Sequence, residues 1–260
     1  MQRYFIPAEQ MTETAVTLTG EDARHLGSVM RAKPGDTFIA CDGRGRDVLA
    51  KVTAVGRDAI EADVVQVLDS SAEMAWKVTV AQSLPKGDKL ETVIQKGTEA
   101  GAYAFQPYLS RRTVVQYDER KEAKRLDRWR KIAKEAAEQS HRSAVPDVRP
   151  VCGWKELIRS MAGYDLVLLC YEEEGRAGTG LRGTLSGFRN EWDPARGQPN
   201  VLLAVGPEGG FAPEEAEEAA ASGAVPAGLG KRIFRTETAA LYALACLAYE
   251  SGELGGEARA

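Results

Sequence analysis

Two apolar runs, YDLVLLCYE (164–172) and NVLLAVG (200–206), constrain the fold of this chain more than any other feature. Neither alternates polar with apolar residues, so neither offers a face to water. Each reads as a strand covered on both sides, the condition of a parallel sheet. The surrounding segments extend the pattern. WKVTVAQSL (76–84) and AFQPYL (104–109) are strands, and KGDKLETVIQKGTEAG sets Leu90, Val93, Ile94 and Gly97 on one helical face, with Gly101 as the stop. Residues 119–140, PEEAEEAAAS (213–222) and ETAALYALACLAYES (237–251) read as further helices. Strands alternating with helices predict an α/β domain with right-handed crossovers.

Residues 1–72 have a different texture. AVTLTG, DTFIACDG, DVLAKVTAVG and AIEADVVQVL are short β-branched runs punctuated by Gly and Asp, as a compact barrel would give. One helix, over GEDARHLGSVMRAKPGD (20–36), interrupts them and closes at Pro34-Gly35. Residues 69–75 read as a linker, so the expected domains are 1–72 and 73–260, a division that suits 260 residues. The Gly-rich stretch 175–198 reads as a loop-rich insertion.

Function classes narrow by exclusion. No stretch approaches the roughly 20 apolar residues that cross a bilayer, and MQRYFIPAEQ lacks the layout of a signal peptide. The four cysteines are far apart and there are only two histidines, so no metal site is expected, and reduced thiols suit a cytoplasmic protein. The net charge of −4 conceals a segregation: residues 111–142 carry 11 Lys/Arg against six Asp/Glu. In the long helix Lys121, Lys124, Arg128 and Lys131 share one face, while Leu126, Trp129, Ala133 and Ala136 share another. The basic face suits phosphates, and an ordinary solvated face would look the same.

In open parallel sheets ligands collect where strands end and loops start helices. Three such ends stand out: LLCYEEEG (168–175), VGPEGGF (205–211) and LGKRIFRTETAAL (229–241). Gly206, Gly209 and Gly210 permit positive φ and close approach to the main chain, and Pro213 suits the first turn of a helix. Glu214, Glu215, Glu217 and Glu218 make that turn a poor phosphate site, and no dinucleotide or P-loop fingerprint is present. A neutral or cationic ligand fits better. In RTETA, Thr236 is a candidate helix cap beside Arg235 and Glu237.

KGDKLETVIQKGTEAGA, EAAEQSHRSAVP, LLAVGPEGGF and LGKRIFRTETA, with RYFIP and RHLGSVMRAKPGD in the first domain, resemble the signature stretches of the ribosomal RNA small-subunit methyltransferase E family. The resemblance runs over nearly the whole chain. It implies a PUA-like β-barrel followed by a SPOUT-class α/β domain with a C-terminal trefoil knot, and a homodimer that methylates N3 of a uridine in 16S rRNA. The implied cofactor is S-adenosylmethionine, and the implied partner is 16S rRNA or the small ribosomal subunit. The family's cofactor loops map onto Leu169, Cys170, Tyr171 and Glu172, then Gly206, Pro207, Glu208, Gly209 and Gly210, then Leu229, Gly230, Ile233, Phe234, Arg235, Thr236 and Thr238. Phe234 stands where Leu is more usual, Ala212 where Ser or Thr commonly caps the helix, and the 175–198 stretch is longer than the family pattern.

Uracil N3 carries a proton at neutral pH, so methyl transfer to it needs a base or groups that stabilise the developing anion. Arg235 is the expected stabiliser, and Glu237 orients it or accepts the proton. Arg3, His25, Arg31, Arg111, Arg112, Lys121, Lys124, Arg128, Gln139 and Arg142 are expected at the RNA, and Lys86, Lys96 and Glu99 near the same cleft. A tRNA or ribose 2′-hydroxyl methyltransferase of the same class, or a non-catalytic RNA-binding module, are the alternatives.

Overall fold

The computed structural model describes residues 1–69, 72–177 and 180–255. The chain forms two compact units, Met1–Glu73 with Lys134–Val145, and Met74–Ala133 with Pro146–Ala260. Ser70 and Ser71 of the expected linker lie outside the described residues, as do Gly178 and Thr179 of the expected insertion.

The first unit holds strands β1 (Arg3–Phe5), β2 (Ala15–Thr19), β3 (Thr37–Cys41), β4 (Asp47–Val55) and β5 (Ala59–Leu68) in the order β1-β3-β4-β5-β2. β1 runs parallel to β3, and the other pairs are antiparallel. Alternation builds the core: Val16 and Leu18, Phe38 and Ala40, Val48 and Ala50, and Ile60 and Ala62 all point inward. Helix α1 (Gly20–Arg24) continues as a π-turn over His25–Val29. The helix expected to reach Pro34 stops earlier, at Arg31, whose φ of 55° reverses the backbone.

Residues 134–145 join this unit through apolar and polar contacts. Ala137 and Val145 pack with Phe5, Ile39 and Cys41. Arg3 pairs with Asp47 at 2.6 Å and donates to the Arg142 carbonyl at 3.0 Å, while the Ser143 hydroxyl donates to the same Asp47 carboxylate. The Arg142 guanidinium pairs with Glu73, whose carboxylate also accepts the N–H groups of Ser143 and Ala144. A single cut at residue 72 does not describe this arrangement, because sequence-adjacent residues divide between units.

The second unit contains β6 (Lys77–Ser83), helix α2 (Lys89–Glu99), β7 (Ala104–Leu109), α3 (Glu122–Gln139, assigned to this unit up to Ala133), β8 (Asp147–Val148), β9 (Cys152–Gly153), α4 (Trp154–Ser160), β10 (Leu166–Cys170), α5 (Glu172–Ala177), α6 (Leu181–Glu191), β11 (Asn200–Val205), α7 (Pro213–Ala221), β12 (Val225–Ala227) and α8 (Thr236–Glu250). Its sheet runs β12-β10-β11-β6-β7-β8, with β9 also on β7, and every ladder is parallel. The two apolar runs are its central strands: Leu168, Leu169, Leu202 and Leu203 are fully buried. α8 buries Ala240, Ala243, Leu244 and Leu247, and leaves Thr238, Tyr242, Ala245 and Tyr249 on its outer side.

The stretch 175–198 is not loop-rich. Gly183 and Gly187 disguise helix α6, which Leu181 and Leu185 anchor one turn apart in the core. Phe188 meets Trp76 edge-on at 5.4 Å, and Arg196 lies over the Trp192 ring at 4.4 Å. Burial of that apolar face outweighs the poor helix propensity of glycine.

Candidate active site

The strand order makes β12, β10 and β11 neighbours, so the loops leaving their carboxyl ends are neighbours as well. They enclose a cleft of about 490 Å³ in the second unit. One wall is Cys170–Glu173, the next Val205–Phe211, and the third Leu229–Gly230 with Arg232–Thr236, while Lys89 reaches it from the start of α2 and Arg112 from the loop after β7.

The three glycines of GPEGG have different reasons to be there. Only Gly210 takes a positive φ, 66°, closing a turn in which its N–H donates to the Pro207 carbonyl. A Cβ on Gly206 would come within 3.2 Å of the Phe211 ring and 3.3 Å of the Gly210 backbone. At Gly209 a Cβ would meet Arg112 at 3.4 Å, an ordinary contact. The expectation of positive φ at Gly206 and Gly209 is therefore corrected: crowding fixes the first, and neither backbone conformation nor crowding the second.

Buried polar groups hold these loops in register. Thr236 is the first residue of α8 rather than its cap. Its hydroxyl donates to the Gly206 carbonyl at 2.6 Å and accepts from Gln82 Nε2 at 2.7 Å. Arg235 occupies the cap position and makes no capping bond there, because its side chain has no acceptor. The Tyr108 hydroxyl donates to the Val205 carbonyl at 2.9 Å, and burial pushes that phenol well above its ordinary value. Ala212 has no hydroxyl to accept from the first turn of α7, but Glu215 supplies the reciprocal half of a capping box. This buried carboxylate accepts the N–H groups of Ala212 at 2.9 Å and Arg111 at 2.7 Å. Sequence reasoning missed Gln82, Tyr108 and this role of Glu215. The available signal was a glutamine at the carboxyl end of an otherwise apolar strand.

Charges of both signs face the cleft. Glu208 accepts from Lys89 Nζ at 2.9 Å and from the Lys86 N–H at 3.0 Å. Burial alone would raise its carboxyl, but these donors outweigh burial and hold it below the ordinary range. Glu237 Oε2 lies 3.7 Å from the same ammonium. Arg112 donates to the Gly209 carbonyl at 2.9 Å. Burial, then the neighbouring Cys246, pushes the Cys170 thiol up to about 12, so it is neutral at physiological pH. Ile233 is 71% exposed, a large apolar side chain standing in a cleft wall without a packing partner to cover it. Glu172, Glu173 and Glu208 share the lining with Lys89, Arg112, Arg232 and Arg235, so side-chain charge alone does not select the ligand, and exposed main chain and apolar surface supply its remaining contacts.

Of the expected cofactor residues, Cys170, Tyr171, Glu172, Gly206–Gly210, Leu229, Gly230 and Ile233–Thr236 line the cleft. Leu169 instead lies fully buried within β10, and Thr238 is exposed on the outer side of α8. Arg235 is on the cleft wall, and Glu237 stands beside Lys89.

The expected RNA residues divide sharply. Lys121, Lys124 and Arg128 are exposed, with Arg128 held by Glu91 at 2.6 Å. Arg111 is exposed and paired with Glu214. His25, Arg31 and Gln139 are exposed in the first unit, and the His25 ring hydrogen-bonds the Tyr4 hydroxyl at 2.8 Å. Arg3 and Arg142 do not belong in this group. Their side chains are 8% and 4% exposed and spent on Asp47 and Glu73, so each is an internal tie. Lys96 and Glu99 form a surface pair at 2.8 Å. Among the described residues no helix is long and apolar enough to cross a membrane.

Comparison with known proteins agrees with this geometry. The RNA methyltransferase domain family matches residues 72–248, and the RNA methyltransferase PUA domain family matches residues 18–65. Ribosomal RNA small subunit methyltransferase E of Bacillus subtilis is 41% identical over 99% of this chain and 100% of its own. The same enzyme of Neisseria gonorrhoeae, in a crystal structure bound to S-adenosyl methionine, is 31% identical with a TM-score of 0.81 over 99% of both chains. A putative methyltransferase from Legionella pneumophila in complex with the same cofactor is 29% identical with a TM-score of 0.78 over 98% of both. With 41% identity over the full length of the Bacillus subtilis enzyme and both domain families matched, the chain belongs to the ribosomal RNA small subunit methyltransferase E family.

Proposed function

We propose that this protein transfers a methyl group from S-adenosylmethionine to N3 of a uridine in 16S rRNA, free or in the small ribosomal subunit. The observation that carries the reading is the meeting of three strand-end loops, Cys170–Glu173, Val205–Phe211 and Leu229–Thr236, in one cleft walled by main chain, side chains of both charges and the exposed Ile233. These residues fit S-adenosylmethionine, which itself carries both charges: the loops offer amides and carbonyls, Ile233 and Phe234 an apolar surface, Glu172 and Glu173 carboxylates for its cationic groups, and the arginines a counter-charge for its carboxylate. Bound S-adenosylmethionine supplies a methyl group already activated by positive sulfur, so the protein's share is binding, orientation and management of the N3 proton. Arg235, on the cleft wall, stabilises the negative charge that develops on the uracil ring, and the Glu237 carboxylate accepts the proton.

The first unit, whose strands all lie in residues 1–72, is a PUA-like barrel that binds RNA, and the second unit, built from the rest of 73–260 apart from 134–145, is the methyltransferase domain. The exposed basic face of Lys121, Lys124 and Arg128 contacts phosphates. A trefoil knot is supported by the chain path. β12 lies on the far side of β10 from β11, yet the segment after it bonds Gly206 at the end of β11, and α8 packs on β11 and β6. A homodimer is supported by the outer side of α8, where Tyr242, Ala245 and Tyr249 form an exposed stripe of apolar and aromatic surface, and a cytoplasmic location follows from the proposed 16S rRNA substrate.

Calorimetric titration with S-adenosylmethionine, beside NAD, tests the cofactor. Saturable binding of the methyl donor alone is expected, and no binding by the folded protein refutes the reading. Transfer of labelled methyl to 16S rRNA or small subunits, with the product nucleoside identified by mass, tests the acceptor. Label on ribose or in tRNA instead would overturn the N3 assignment.

A further inference from the structure

Lys89 has no role in the chemistry described so far, yet it touches Glu208 in the cleft wall and Glu237 in the first turn of α8. It is the first residue of α2, and it belongs to neither the GPEGG loop nor the RTETA segment. Its ammonium donates to Glu208 Oε1 at 2.9 Å and lies 3.7 Å from Glu237 Oε2. The same Glu208 oxygen accepts the Lys86 N–H, so the α2 entry grips the loop twice. Glu237 Oε2 has no hydrogen-bond partner among the described residues, and its atom is buried. The Lys89 charge is what faces it. A carboxylate on the first turn of a helix can rotate among several rotamers, and one cation set to its side selects among them.

We propose that Lys89 is a positioning residue for methyl transfer, fastening the Gly206–Phe211 loop to the first turn of α8 and fixing the Glu237 carboxylate beside the cleft-wall residues Arg235 and Thr236. The inference rests on the proposed reaction. In that reaction the N3 proton passes to the Glu237 carboxylate, and the electron pair left on N3 forms the bond to the methyl carbon. The carbon–sulfur pair remains on sulfur, which becomes a neutral thioether, and the proton then leaves Glu237 to solvent. Lys89 exchanges no proton and touches no reacting atom. It acts through the place it gives Glu237.

The test compares K89M, K89R, E237Q and the double variant K89M/E237Q. Single-turnover methyl transfer at saturating cofactor and RNA should fall roughly 10- to 100-fold in K89M, the loss expected of a displaced catalytic group. K89R, whose guanidinium can reach both carboxylates, should recover most of it. The double variant should be no slower than E237Q: saturating cofactor masks the loss of the loop contact through Glu208, and what Lys89 does for the transfer step it does through Glu237. Hydrogen exchange on the protein without ligands gives a second readout: amides of both 206–211 and 236–239 should exchange faster in K89M. Multiplicative losses in the double variant, an unchanged K89M rate, or loosening of the Gly206–Phe211 loop alone would each overturn the proposal. Wild-type protein that transfers no methyl group would instead refute the proposed function, and the exchange measurement would still read the brace by itself.

Discussion

Replacing Thr236 by valine should loosen the cleft measurably, and the structure sets the size of the effect. The substitution swaps a hydroxyl for a methyl of similar volume, so packing is nearly conserved. Two hydrogen bonds disappear: the one donated to the Gly206 carbonyl at 2.6 Å and the one accepted from Gln82 Nε2 at 2.7 Å. Gln82 keeps the Ser83 carbonyl at 3.1 Å, so its amide is not stranded. The Gly206 carbonyl retains only the 3.5 Å contact from Gln82. A net hydrogen bond is worth about 1 kcal/mol, and a poorly satisfied buried carbonyl adds about as much again, so T236V should cost about 2 kcal/mol. In a chain of this length that is about 4–8 °C in melting temperature. Calorimetric melting of T236V and T236S checks it, with cofactor titration alongside. T236S keeps the hydroxyl and should retain cofactor affinity, whereas T236V should lose it in part. A T236V protein that melts within a degree of wild type and binds cofactor equally well would refute the claim that this hydroxyl joins β6, β11 and α8.

Gly206→Ala should weaken cofactor binding and destabilise the fold by about 1–3 kcal/mol, because its Cβ collides with Phe211 and the Gly210 backbone; Gly209→Ala, with room beside Arg112, should melt as wild type does. R142M should lower the melting temperature by removing the buried guanidinium's ion pair with Glu73, which then keeps only the Ser143 and Ala144 N–H groups, yet leave the salt dependence of RNA binding unchanged. K124M should do the reverse, reducing the slope of log affinity against log salt by roughly 0.7–0.9 in a filter-binding assay. Glu208 ionises below its ordinary value in the fold, so its contribution to stability is complete above the unfolded value of about 4.3 and is lost as pH falls through the depressed one. Denaturant midpoints of wild type and E208Q should accordingly converge as the pH is lowered through that window.

The sheet and the cleft loops were legible because their signals are local. A short apolar run such as LVLLC, rich in residues that pack on both faces and bounded by polar turns, reads as a covered strand, and paired glycines after such a run mark a place where the chain turns sharply. What escaped was whatever depends on long-range partners. Arg3 and Arg142 look like any surface arginine until Asp47 and Glu73 are brought to them by folding. Thr236 has the composition of a helix cap, and only the third dimension reveals the Gly206 carbonyl that claims its hydroxyl. Helix α6 was hidden by its glycines, since the burial of Leu181, Leu185 and Phe188 against distant residues is not written in local propensity. β8, β9 and β12, of two or three residues each, are too short for any periodicity to announce them.

The wall formed by Gly206–Gly210 bears on how resistance to an inhibitor of this cleft could arise. A compound that hydrogen-bonds the peptide groups of this loop engages atoms every amino acid shares, so exchanging a side chain does not delete its contacts. Escape would require moving the backbone itself. The two glycines that set its path tolerate a side chain badly, Gly206 through crowding and Gly210 through its φ of 66°. Compounds that lean on Ile233 or Phe234 have no such protection, since those side chains can change while the loop keeps its course.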